Sequence, residues 1–118
     1  MVYKFVEKES DTSLVPTEAV LDANSLASLI KNDDQAISKD LIEKAIEVSG
    51  DIKEIIYRNG ITTIIIASND ENCIVCQMQK NQEKIVSKLK VGASISVKGI
   101  YKGVLMDAIL LNCIVLNK

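Results

Sequence analysis

Cys73, Cys76 and Cys113 are the side chains of this 118-residue chain best suited to covalent chemistry, and their number is odd. Three thiols allow at most one internal disulfide and leave one free. Cys73 and Cys76 stand at C-x-x-C spacing. A redox pair of that spacing places its first thiol at a helix N-terminus, where the dipole lowers its pKa. Here the spacing falls in Cys73-Ile74-Val75-Cys76-Gln77-Met78, which reads as a strand. Residues three apart on a strand point to opposite faces, so the two sulfurs are not expected to meet. A structural zinc site needs four ligands. The chain offers one further cysteine and no histidine. No metal and no cofactor is therefore expected. The lack of histidine also removes the commonest general base and any Ser/His/Asp set. Asp51, Glu54 and Asp107 are acids near predicted strand edges with nothing to pair them, and no glycine-rich phosphate loop is present. The chain is expected not to be an enzyme and to have no catalytic residues.

The elements that position these residues are those of one small domain. Hydrophobic residues make up 47% of the chain, enough for a single core. The apolar set is mostly aliphatic: Tyr3, Phe5, Tyr57 and Tyr101 are the only aromatics. The net charge of −2 hides an asymmetry, because residues 1–42 carry four lysines against eight acids while the remainder is weakly basic. Neither part is a strong electrostatic magnet for a polyanion or a membrane. No run of 18 apolar residues exists, so no membrane-spanning segment is expected, and no signal-peptide core is visible.

Residues 1–20 read as a tail or linker, ordered only if they pack on something, with Pro16 marking an extended boundary. Asp22 is a plausible N-cap for a helix that places Leu26, Leu29 and Ile30 on one face. A second short helix is expected from Asp34 to about Ile42, burying Ala36, Ile37 and Leu41. A long first strand follows, Ala45 to Tyr57, with Ile46, Val48 and Ile52 alternating and Gly50 on the apolar parity, which suggests a bend or bulge. Arg58-Asn59-Gly60 signals a hairpin. Ile61–Ala67 and Cys73–Met78 are the second and third strands, joined by a polar turn. Asn81–Leu89 switches to helical period, with Ile85, Val86 and Leu89 inward and a lysine stripe (Lys80, Lys84, Lys88) read as a solvated face. Ala93–Tyr101 is the fourth strand, Lys102-Gly103 a turn, and Ala108–Leu116 the fifth.

Three strands, a helical connection and two strands is the element order of an OB-fold, a five-stranded Greek-key barrel. The expected fold is thus all-β with helical additions: a barrel over about residues 44–117, a helix between strands three and four, and an N-terminal helical extension, in a domain of residues 21–118. In such a barrel strand three neighbours strand five. Cys76 and Cys113 then lie side by side, either as small buried core thiols or as a disulfide across the closing seam.

OB-fold ligand sites use the outer face of strands two and three with the loops after strands one and four. Those places hold Tyr57, Arg58 and Asn59, Tyr101 and Lys102, and parity turns Thr63, Ile65, Val75, Gln77 and Lys98 outward. The candidate ligand-binding residues are accordingly Tyr57, Arg58, Asn59, Gln77, Lys98, Tyr101 and Lys102. Two tyrosines, one arginine and a few lysines are a thin footprint for a strand of nucleic acid, which is usually held on stacking aromatics in a basic groove. A non-catalytic binding module for an unknown macromolecule is expected, protein favoured over nucleic acid. A single-stranded DNA, RNA or tRNA-like ligand is the alternative.

The phrase Lys44–Ile52, Cys76, Val91-Gly92 with Val97-Lys98-Gly99, and Gly103–Asp107 leading to Cys113 resemble the tRNA_anti-like family. That family consists of small bacterial OB-fold proteins, common in Bacteroidetes and often lipid- or membrane-anchored. Leu26, Ala36 and Leu41 look like its lead-in to the barrel, and the resemblance covers roughly residues 20–116. It implies the fold and no catalytic residues. It also implies an N-terminal anchor followed by a linker like Met1–Ser13, hence a cell-envelope location, with the cytoplasm as the alternative.

Overall fold

In the computed structural model the described residues are 12–31, 40–69, 73–105 and 107–116. They form β1 (Thr17–Asp22), α1 (Ala23–Lys31), β2 (Ala45–Arg58), β3 (Ile61–Ile66), β4 (Ile74–Met78), α2 (Glu83–Val86, entered through a 3-10 turn at Lys80–Gln82), β5 (Ser94–Leu105) and β6 (Asp107–Val115). The strand order is β1-β2-β3-β4-β6-β5, and β2 also pairs with β5. Strands β2 to β6 therefore close into the expected five-stranded barrel, and β1 is added outside it.

β2 is the strand that makes closure work. Ala45 to Asp51 pair antiparallel with β5, whereas Ile52 to Arg58 pair with β3. The chain changes partners between Asp51 and Ile52, and the β2–β3 register slips between Ile52 and Glu54. The bend expected near Gly50 is thus present, but Gly50 is not among the positive-φ residues. A glycine is needed there for space: a Cβ would lie 2.5 Å from Ile66 Cγ2 and 3.0 Å from Ala23 Cβ. At the hairpin both Asn59 (φ 54°) and Gly60 (φ 78°) are left-handed, as a two-residue turn matched to strand twist requires.

The barrel interior is aliphatic. Ile46, Val48, Ile52, Ile64, Ile66, Ile74, Ile95, Val97 and Leu110 are buried together with Tyr101, the largest wholly buried side chain among the described residues. α1 closes one end with Ala23, Leu26 and Ala27. Asp22 ends β1 and caps α1, its Oδ1 accepting the Ser25 N–H at 2.7 Å. That hydrogen bond to the charged form holds the Asp22 carboxyl below its usual range. α2 is shorter than the expected 81–89 helix. It buries Val86, while Ile85 stays 37% exposed. Gln82 is buried, and its Oε1 accepts the Val115 N–H at 2.8 Å, fastening the connection to β6.

Two differences from the sequence reading have clear causes. Residues 17–20, read with the tail, lie in β1, which runs parallel to β2 with Ala19 opposite Ile46 and Leu21 opposite Val48. A parallel partner leaves no turn signal in the sequence. Lys102-Gly103 is not the turn after the fourth strand. β5 continues to Leu105, and positive φ at Gly103 (104°) accommodates an irregularity against β6. Of the expected second helix, Asp40 and Leu41 are helical. Residues 32–39, and the Ile30 side chain, lie outside the described residues.

Candidate nucleic-acid or protein interface

The outer surface of the barrel is laid out by register. Across β2, β3 and β4, Ile56, Thr63 and Gln77 form one row, and Glu54, Ile65 and Val75 the next. Arg58 stands opposite Ile61 beside the hairpin. The inner face of the same strands is Ile64, Ile66, Ile74 and Cys76, all wholly buried. Strict alternation turns the other set to solvent. The outward set apart from Glu54, with Asn59, lines a shallow cleft of about 380 Å³. Aliphatic Ile56, Ile61, Ile65 and Val75 form its floor, and Arg58, Asn59, Thr63 and Gln77 supply its polar groups.

Of the sequence-predicted residues, Arg58, Asn59 and Gln77 share this cleft. Tyr57 adjoins it at the barrel rim. It lies opposite the buried Thr62, on the parity of the interior, yet is 65% exposed. The other three are elsewhere. Tyr101 was expected beside a binding loop but is a wholly buried core residue on β5. Its strand extends beyond it, which moves the loop away. Lys102 is engaged with Glu43 through both carboxylate oxygens, at 2.6 and 2.8 Å.

Lys98 does leave the barrel on its outer side, as parity requires, but it is only 7% exposed. Residues 12–15 lie over it: the Val15 carbonyl accepts from Lys98 Nζ. Thr12, itself buried, ties this segment down by donating from Oγ1 to the Asn112 carbonyl and from N–H to Gln79 Oε1 (2.9 Å). Thr17 Oγ1 donates to Glu47 Oε2 at 2.9 Å. Contacts spanning up to 100 residues of sequence are invisible to local pattern, so this covering was not foreseen.

A second, larger concavity of about 490 Å³ lies where α1 begins. Its lining includes Asp22, Asn24, Asp51, Asn69 and Ser94. These groups are largely spoken for: Ser94 Oγ donates to Asp51 Oδ1 (2.9 Å), and the Asn69 N–H donates to Asn24 Oδ1 (2.7 Å). No acid, cysteine or histidine cluster suited to a metal exists among the described residues. No helix among them is long and apolar enough to cross a membrane. The C-x-x-C cysteines are both buried, and all three cysteines are free thiols. Cys73 sits just before β4, its N–H donating to Asp107 Oδ1 (2.9 Å) and its sulfur 3.6 Å from Lys53 Nζ.

A closed five-stranded barrel with a long shared strand, a parallel β4–β6 pair and a half-apolar outer sheet is an OB-fold. Matches to solved structures agree, and at their level of identity they speak of fold alone. A proposed nucleic acid-binding lipoprotein from Klebsiella pneumoniae subsp. pneumoniae superposes with TM-score 0.68 at 17% identity, over 82% of this chain and 91% of that one. An asparaginyl-tRNA synthetase from Pyrococcus horikoshii matches with TM-score 0.53 at 18% identity, over 70% of this chain and 21% of the synthetase. An OBody bound to hen egg-white lysozyme matches with TM-score 0.53 at 13% identity, over 67% of this chain and 84% of that one. Within this fold the chain belongs to the tRNA_anti-like family, whose model matches residues 1–115. No curated protein matches it.

Proposed function

We propose that this chain is a non-catalytic binding module whose ligand face is the outer surface of β2, β3 and β4, and that the ligand is a protein. The observation that carries this reading is the composition of that face. Ile56, Ile61, Ile65 and Val75 form an aliphatic floor with one cation among the described lining residues, Arg58, at its edge. Nucleic-acid platforms stack bases on flat aromatic rings in a basic groove. Among the described residues Tyr57 at the rim is the one aromatic here, and Glu54, exposed on the same face, opposes phosphate. An aliphatic centre with a polar margin is the anatomy of a protein interface. The lysozyme-bound OBody is an example of a protein of this fold with a protein partner. The neighbours with nucleic-acid associations make the opposite outcome a serious one to test.

Two measurements decide between them. Fluorescence anisotropy with single-stranded DNA and RNA at low salt is expected to show no saturable binding. Tight, salt-sensitive binding lost in Arg58→Ala or Tyr57→Ala overturns the protein reading. A photo-crosslinking residue at Gln77 is expected to capture a discrete protein, with capture lost in Ile65→Glu and absent when the probe sits at Lys88. Capture that ignores Ile65→Glu places the interface elsewhere.

A further inference from the structure

Cys76 on β4 and Cys113 on β6 are sealed inside the barrel, each 0% exposed. The two strands are parallel neighbours, with Cys76 opposite Leu110 and Met78 opposite Cys113. The slip between those pairs arises at Asn112, whose φ is 52°. Alternation from the buried Leu110 would otherwise turn Asn112 inward and Cys113 out. The bulge leaves Leu111 and Asn112 both on the outside and turns Cys113 back into the core. Cys113 thereby faces the same interior as Cys76, one inward position further along the strand pair. Space for it is reserved from β5: a Cβ on Gly99 would lie 2.4 Å from Cys113 Sγ. Register, the bulge at Asn112 and the space left by Gly99 thus place both thiols on the interior side of the seam between β4 and β6.

We propose that Cys76 and Cys113 are a disulfide site, oxidised while the barrel is closing and sealed once it has closed. The oxidant is a small disulfide or a thiol–disulfide exchange partner. One cysteine thiolate attacks a sulfur of that disulfide and expels one thiolate, forming a mixed disulfide. The second cysteine thiolate then attacks the mixed disulfide at the protein's sulfur. The intramolecular S–S bond forms, the second thiolate leaves, and the two thiolates released take up the two protons that the cysteines gave up. The cysteines lose two electrons and the oxidant gains them. Order matters because the nucleophile is the thiolate. In the closed barrel, burial and the adjacent Cys76 push the Cys113 thiol well up, and no surface is open to an incoming disulfide. A partly closed chain has neither barrier. Cys73, which precedes β4 and is held by Asp107, stays a thiol.

The test is to refold the reduced full chain from denaturant in a mixture of oxidised and reduced glutathione, then alkylate it under denaturing conditions. Expected is a product two hydrogens lighter than the reduced chain, with one alkylated cysteine, and fragment spectra that place the label on Cys73 and link Cys76 to Cys113. The native reduced protein, held in the same mixture for the same time, is expected to keep three thiols. Cys73→Ser, which leaves both core sulfurs in place, is expected to show the same mass loss and no alkylated cysteine. Three alkylated cysteines after oxidative refolding, or a bond made through Cys73, overturns the site. Equal oxidation of native and refolding protein overturns the order of events.

Discussion

The Cβ that Gly50 lacks would stand 2.5 Å from Cγ2 of Ile66. The two residues face each other across the point where β2 leaves β5 for β3, with Ala23 of α1 closing the third side. Any side chain at position 50 must push apart the barrel wall and the helix that plugs it. Gly50→Ala is expected to destabilise the domain by about 1–3 kcal/mol through overpacking. Adding Ile66→Ala should recover part of that loss, because the two changes share one contact. Urea unfolding of the two single variants and the double variant checks this. Additive losses would mean the crowding lies elsewhere.

Thr12 anchors the covering segment over β5 and β6 through its hydroxyl bond to the Asn112 carbonyl. Thr12→Val keeps the shape and removes the donor, and is expected to cost about 1 kcal/mol. Amide exchange should report the loss locally. Protection should fall at β1 and at the Val15 segment and hold within β3 and β4.

Gln82 ties the α2 connection to the barrel by accepting the Val115 N–H inside the protein. Gln82→Met fills a similar volume but leaves that N–H buried without a partner, at an expected cost of about 1–3 kcal/mol. Gln82→Glu provides a comparison: it keeps an acceptor for Val115. A thermal melt that ranks Met at or above the wild type would show the bond to be dispensable.

Asp22 gives a pH-dependent test. Its carboxylate accepts the Ser25 N–H, so its folded pKa lies below the unfolded one. The stability it contributes is complete above the unfolded pKa and is lost as pH falls through the folded pKa. Asp22→Asn keeps a capping oxygen but cannot titrate. The gap in urea midpoint between wild type and Asp22→Asn should be widest near neutral pH and close in acid. A gap constant across that range would remove the charged cap from the account.

Much of this molecule is written locally. Period-two alternation in β2, β3 and β5, the Asn59-Gly60 turn and the Asp22 cap each depend on neighbours a few residues away, so their residue types suffice to read them. The binding face is legible in part for the same reason. Parity turns Thr63, Ile65, Val75 and Gln77 outward, and register sets Gln77 beside Thr63 and Val75 beside Ile65. Parity says which side of a sheet a residue takes and is silent on what lies over it. Lys98 points outward as its parity requires and is nevertheless buried, because residues 12–15 cross it.

By itself, then, the sequence determined the succession of the five barrel strands along the chain, the hairpin and most of the inward set of the barrel, since these follow from backbone periodicity and turn chemistry. Tertiary structure alone decided that β1 joins β2 in parallel, that Tyr101 belongs to the core, and that a bulge at Asn112 turns Cys113 into the interior. Each of those depends on which distant segments close on one another, a choice made by the packing of the whole barrel.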